Sequence, residues 1–210
     1  MRYERKFAST SHDLGEVLAQ VRNHPSFFRP IYHERQVNNV YFDTIDLRFL
    51  EANLQGTANR KKYRLRWYDD PASETVSGQL ELKKRVGQLV EKHIWSQGKT
   101  SVSNWLDGSA IPTGIPDSVN NELKCLQATL LSGYTRQYFL SVDGKFRLTV
   151  DCNQWWQNLI EGSEWEDHRQ VIIELKYDTA SDELAHQITS GFPFRVSKWS
   201  KYAAGFRQAS

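Results

Sequence analysis

Three short runs in this chain repeat one arrangement, a glutamate and a lysine two residues apart: Glu4-Arg5-Lys6, Glu81-Leu82-Lys83 and Glu174-Leu175-Lys176. Two further runs interleave charge with bulk. Lys62, Arg64 and Arg66 alternate with Tyr63, Leu65 and Trp67, while Arg147, Thr149 and Asp151 alternate with Leu148 and Val150. In an extended strand, residues two apart share a face, so each run offers one charged face and one apolar face. Taking these runs with the first strand, the charged set has nine basic residues (Arg2, Lys6, Lys62, Arg64, Arg66, Lys83, Arg85, Arg147, Lys176) against four acids (Glu4, Glu81, Asp151, Glu174), although the whole chain carries only +2. The bland explanation is the solvated side of an antiparallel sheet laced with ion pairs. Such faces mix signs, because like charges opposite one another destabilise. A net basic excess of five, nine cations less four acids, over five strands points instead to an anion that neutralises it. Guanidinium forks match phosphate oxygens, and a lumen of one sign focuses field. The few carboxylates either pair with the lysines or hold a divalent cation against phosphates, since Mg²⁺ is usually bound by one or two carboxylates plus substrate phosphates.

The elements that must position these groups read mainly as strands. Arg2 to Ser9, Val37 to Asp43, Lys61 to Tyr68, Gly78 to Arg85, Leu89 to Trp95, Thr135 to Val142, Phe146 to Cys152 and Gln170 to Asp178 alternate or carry β-branched and aromatic residues. Asp143-Gly144 is a hairpin signal between two of them. Helical spacing predicts helices over Asp13 to Arg22 with Ser11 as cap, Asp46 to Gln55, Asn120 to Leu131, Ser181 to Ser190 and Lys198 to Arg207. Gly98 to Pro116 reads as loop with one helical turn. The expected class is α+β: one domain over residues 1–210, an antiparallel tunnel-like barrel of about eight strands with helices packed outside.

Length and composition bound the rest. At 210 residues, 39% hydrophobic and 25% charged, the chain can bury most of its surface without staples and is not disordered. No apolar run reaches the ~20 residues of a membrane span, and MRYERKFAST lacks the apolar core of a secretion signal. Cys125 and Cys152 match no metal or redox spacing, so a cytoplasmic setting is expected. Gly98-Lys99-Thr100 resembles the end of a P-loop, but the leading glycine position holds His93. No histidine pair has a zinc-binding spacing.

RYERKF (2–7), VNNVYFDT (37–44), YRLRWY (63–68), LELKKR (80–85), FRLTVD (146–151), VIIELKY (171–177) and KWSKYAAG (198–205), in this order, resemble the VTC (vacuolar transporter chaperone) domain. That domain is a polyphosphate polymerase module of the triphosphate tunnel metalloenzyme superfamily. The resemblance implies a tunnel that binds ATP and a growing polyphosphate chain and moves the γ-phosphate with Mn²⁺ or Mg²⁺. By motif, it implies that Arg64, Arg66, Lys83 and Arg147 are catalytic and that Lys6, Lys198 and Lys201 contact phosphate, with Arg136 of YTRQYF a further phosphate contact. It implies Glu174 as metal ligand, with Glu4 and Glu81 as further metal candidates. Lys198 and Lys201, three apart, would share a helix face. Tunnel triphosphatases often open Glu-x-Glu-x-Lys; Arg2 stands at the first of those positions here, which tilts the reading away from hydrolysis. Eukaryotic VTC proteins add a phosphate-sensing domain and membrane spans that this sequence does not contain.

Two rival readings remain. The same cavity could hydrolyse inorganic or nucleoside triphosphates, or it could bind polyphosphate or nucleotide without catalysis. Arg60 to Trp67, rich in basic and aromatic residues, would suit RNA on an exposed strand, although no nucleic acid partner is expected.

Overall fold

The computed structural model describes residues 2–68, 70–87 and 89–206. In chain order the elements are β1 (Arg2–Ser9), α1 (Leu14–Arg22), β2 (Arg29–Pro30), β3 (Arg35–Asp43), α2 (Arg48–Leu54), β4 (Asn59–Tyr68), β5 (Thr75–Val86) and β6 (Leu89–Ser101). There follow α3 (Val102–Leu106), α4 (Asp117–Leu123), β7 (Gln127–Leu140), β8 (Phe146–Asn158), β9 (Glu164–Asp167), β10 (Val171–Asp178), α5 (Asp182–Ser190) and α6 (Lys201–Ala204). The expected α+β class with an antiparallel sheet holds, with ten strands rather than eight. The extra strands are the two-residue β2, which pairs with β7, and the short β9, which pairs with β8. Neither is long enough to show periodicity.

The chain forms two compact units. The first comprises residues 1–35, 134–154 and 166–199. Its strand order is β1-β10-β8-β7. Register places Phe7 opposite Ile173 and Ile173 opposite Val150, all buried on one face. Val17 and Val21 of α1, with Ala185 and Ile188 of α5, close over that face. Each fully buried side chain of this kind contributes about 1.5–3 kcal/mol, and a one-residue slip would turn every one of them outward. The apolar alternation therefore fixes the register. The neighbouring residues Lys6, Glu174 and Thr149 are thereby placed in one row on the other face.

The second unit comprises residues 36–133, 155–165 and 200–210, and it holds the order β7-β3-β4-β5-β6. Val40, Leu65 and Leu80 line up across β3, β4 and β5. Trp105 of α3 and Val119 and Leu123 of α4 pack on the same buried cluster, and Phe49 of α2 borders it. The opposite face carries Asn39 against Arg66 and Tyr41 against Arg64, then Arg64 against Glu81 and Lys62 against Lys83. Helices lie over the apolar side, as the alternation implies, and the charged residues take the other side.

Several local expectations are corrected. Asp13, not Ser11, caps α1: its carboxylate accepts from Glu16 N at 2.8 Å, and Glu16 Oε2 accepts from Asp13 N at 3.0 Å. The helix predicted over Asn120 to Leu131 stops at Leu123, and Gln127 onward is β7. Hydrogen bonding to β3 overrides a run that is locally helix-tolerant. β6 continues through Gly98 to Ser101, where a bulge opposite Gly78/Gln79 absorbs the glycine at φ 59°. The β7–β8 connection spans residues 141–145, closed by Ser141 N donating to Phe146 O at 2.9 Å, rather than a two-residue turn. The C-terminal helix is only α6, capped by Ser200. Val196 bridges Phe7, and Ser197 N donates to Lys6 O at 2.8 Å. That pairing keeps the preceding segment extended, so Lys198 lies outside the helix and the shared-face reading with Lys201 fails. The expected helix end at Arg207 lies outside the described residues, as does the side chain of Arg2.

Candidate anion-binding site

In the second unit the charged face is built around one carboxylate. Glu81, only 3% exposed, receives Arg64 Nε at 2.7 Å and Lys92 Nζ at 2.9 Å, with Arg66 Nη1 at 3.7 Å. Arg66, 8% exposed, also donates from Nε to Asn39 Oδ1 at 3.1 Å. Three cations thus share one carboxylate in a poorly solvated place. Burial alone would raise the Glu81 carboxyl, but Arg64, Arg66 and Lys92 outweigh it and hold it well below the usual carboxylate range. Lys92 is drawn below the ordinary lysine value, first by burial and then by Arg64 and Arg66, even though Glu81 opposes this.

The sign of the Glu81 shift sets a pH prediction. A carboxyl depressed by folding adds stability above its unfolded pKa of about 4.3, and that stability is lost as pH falls toward the folded value. Glu81→Gln is therefore expected to be less stable than the wild type at pH 7, with the gap closing below about pH 4. Urea melts at several pH values measure it; a gap independent of pH contradicts the ion-pair role.

Lys83 sits opposite Lys62 and Lys92 and is exposed. Lys62 Nζ donates to Ser200 Oγ at 2.8 Å, and Asn53 Nδ2 donates to the same oxygen at 2.9 Å. Beside it, Tyr202 of α6 donates to Asp43 Oδ2 at 2.6 Å. Asp43 in turn accepts from Phe49 N and Leu50 N at the start of α2. Lys201, partly buried, begins α6 in this cluster.

The first unit has its own charged row. Glu174, 7% exposed, lies 3.0 Å from Lys6 Nζ, 3.0 Å from Lys176 Nζ and 3.7 Å from Arg136 Nη2. Lys6 also meets Glu4 at 3.1 Å. Burial would lower the Lys6 ammonium, but Glu174 and Glu4 outweigh it and raise it. Lys6 thus stays charged throughout the neutral range, and its contribution to stability is lost only at strongly alkaline pH. Arg136 forms a bidentate pair with Asp151, Nε to Oδ1 at 2.6 Å and Nη2 to Oδ2 at 2.7 Å. Asp151 takes two of its five N–H donors and anchors it in the row. Arg147 and Lys198 are exposed.

Among the described residues, no three His, Cys, Asp or Glu side chains gather where they could hold a metal unaided. A divalent cation bound by one or two carboxylates plus substrate phosphates needs no such trio. Glu174 and Glu4, both on Lys6 Nζ, are oxygen donors of the kind this mode uses, and Glu174, like Glu81 in the other unit, is also engaged by three cations.

The sequence reading missed Lys92, Asn39 and Thr149. Lys92 was legible, lying on a strand read as Leu89 to Trp95, but its place emerges only from the register that sets it against Lys83. Asn39 Nδ2 and Thr149 Oγ1 are buried without a hydrogen-bond partner. Leaving such a group unmade costs about 1–3 kcal/mol. Each lies in a row with charged residues, Asn39 beside Arg66 and Thr149 beside Glu174.

Each unit thus carries a charged sheet face backed by a helix-covered apolar core. The model of the VTC domain family matches residues 1–210, and the chain belongs to that family. No curated protein sequence matches it. Among solved structures, it is similar to a protein provisionally named an adenylate cyclase from Bacillus halodurans, with TM-score 0.64, 15% identity and coverage of 99% of this chain and 98% of that one. A second, from Vibrio parahaemolyticus and also provisionally named an adenylate cyclase, gives TM-score 0.56, 14% identity and coverage of 95% and 94%. A protein of Pyrococcus horikoshii gives TM-score 0.56, 13% identity and coverage of 97% and 94%. At these identities the likeness establishes a shared fold. Among the described residues, no helix is long and apolar enough to cross a membrane.

Proposed function

We propose that this VTC domain is a phosphotransferase that moves the γ-phosphate of ATP onto a polyphosphate chain. The observation that carries the reading is the convergence of Arg64, Arg66 and Lys92 on the nearly inaccessible Glu81. A single buried carboxylate holds three cations in fixed places, a preorganised cationic face for a ligand. Groups fixed in this way, in a low-dielectric setting, stabilise developing charge without reorganising.

Phosphoryl transfer depends on positioning and charge neutralisation more than on covalent help. Arg64, Arg66 and Lys83 serve as phosphate contacts in the second unit, and Asn39 Nδ2 offers a further donor beside Arg66. In the first unit Lys6 and Arg147 serve the same purpose. In the first unit Glu174 with Glu4 would hold Mn²⁺ or Mg²⁺, which when bound would offset phosphate charge there. The acceptor is an anionic terminal phosphate oxygen. It bonds to the γ-phosphorus as the bond to the β-bridging oxygen breaks, so ADP leaves and no proton has to move. A protein nucleophile and a strong base are unnecessary, which suits a chain without a convincing pair of either.

The test is product analysis. Purified protein with ATP and Mn²⁺ is expected to yield long acid-labile phosphate chains in step with ADP. Orthophosphate in place of chains makes the protein a triphosphatase, and absence of turnover with retained binding makes it a binding module; either result overturns the reading.

A further inference from the structure

A second concentration of positive charge lies outside the surface around Glu81. At the far end of the β4–β5 ladder, three successive cross-strand pairs are all cationic: Arg60 opposite Arg85, Lys61 opposite Lys84, and Lys62 opposite Lys83. Directly opposed like charges are destabilising, and a ladder of three is unexpected on stability grounds. By alternation Lys61 and Lys84 take the α2 side, while Arg60 and Arg85, at the end of the ladder, share the face of Lys62 and Lys83 and reach the edge of the groove.

An open groove of about 310 Å³ lies there, under α2, with Phe49, Ala52 and Val86 giving it an apolar floor. Arg48, Arg60, Lys61, Lys84 and Arg85 line it mainly through their aliphatic stems, with their charged ends at its rim. Asp46 pairs with Arg48 at 2.6 Å and Glu122 with Lys61 at 2.7 Å, while Lys84 has Glu91 opposite it on β6 and also acts on Glu122. Arg60 and Arg85 are turned onto carbonyl oxygens, Thr57 O at 2.8 Å and Gly87 O at 2.9 Å, which leaves their charge unneutralised. Both are partly buried. Burial first, and Arg85 second, lower the Arg60 guanidinium below its ordinary value.

We infer that this groove is a second anion site that takes a stretch of phosphate chain, held by Arg60, Lys61, Lys84 and Arg85. The anionic character of the ligand follows from the unneutralised cations. Its identity as a phosphate chain rests on the proposed function. A chain engaged at both sites gains affinity from the second contact without any new chemistry.

The experiment is equilibrium binding to the full chain at low salt, with inorganic tripolyphosphate, long inorganic polyphosphate, ATP and single-stranded RNA as separate probes. Long polyphosphate is expected to bind more tightly than tripolyphosphate. Arg60→Gln/Arg85→Gln is expected to lower affinity for the long chain about tenfold and to reduce the slope of log K against log salt by about two, one for each cation removed. Lys61→Gln/Lys84→Gln acts as an independent second variant, with the same direction expected. At saturating chain neither double variant should change ATP turnover, and the arginine pair should raise the melting temperature without anion, because repulsion is relieved. Unchanged long-chain affinity and salt slope in both variants overturn the inference, as does RNA binding without polyphosphate binding. The two readings fail separately. If Arg64→Ala keeps full turnover while the groove variants lose long-chain affinity, the proposed function falls and the groove stands. The reverse pattern removes the groove alone.

Discussion

Arg64→Ala is expected to lower turnover by about 10²–10³, equivalent to roughly 3–4 kcal/mol of transition-state stabilisation, with little change in unfolding. The asymmetry comes from the arrangement around Glu81. Removing Arg64 deletes a donor aimed along the charged face, yet Glu81 keeps Lys92 at 2.9 Å and Arg66 at 3.7 Å. The carboxylate is not stranded, so the usual penalty for breaking a buried pair does not apply in full. Repulsion among three cations also falls when one leaves, which offsets part of the lost ion pair. Steady-state turnover and a thermal melt on the same preparation decide it. A variant that unfolds while its folded fraction keeps full specific activity makes Arg64 a structural ion-pair partner only.

The opposite pattern is expected at Asp151→Asn. Asp151 is fully buried, and its two oxygens bind Arg136 Nε and Nη2 at 2.6 and 2.7 Å. Asparagine keeps the shape but removes the charge, leaving a buried guanidinium whose remaining carboxylate contact is Glu174 at 3.7 Å. Breaking such a pair from one side costs about 3–5 kcal/mol. For a chain of this size each kcal/mol moves the melting temperature by about 2–4 °C, so a drop of about 10 °C is expected. The double variant Arg136→Met/Asp151→Leu removes both charges and should recover most of the loss, since apolar replacements of buried pairs are often neutral or better. Wild-type stability in Asp151→Asn contradicts the anchoring of Arg136 by Asp151.

How much of this was legible in the sequence depends on the range of the determining interaction. Alternation in YRLRWY and VIIELKY placed Arg64, Arg66 and Glu174 on charged faces correctly, because period-two burial is written locally. The apolar positions between them were buried by helices, also as read. Lys92 escaped because its neighbours Val90 and Ile94 share its face and are exposed, so β6 lacks a clean alternation. The helix expected over Asn120 to Leu131 failed for a long-range reason, namely that its second half pairs with β3. Lys198 was assigned to a helix because nothing local shows that Val196 and Ser197 pair with β1. The roles of Glu81 and Arg136 were the least legible. Both are set by which opposite charge lies across the ladder, and register is information that one strand does not carry.

The most direct measurement is a calorimetric titration of the full chain with inorganic tripolyphosphate, repeated on Arg64→Ala and at rising salt. Saturable binding that weakens steeply with salt and drops sharply in the variant is expected if the cations around Glu81 exist to receive a phosphate chain. Undetectable binding at low salt, or binding that Arg64→Ala leaves intact, would show that these cations serve the fold alone.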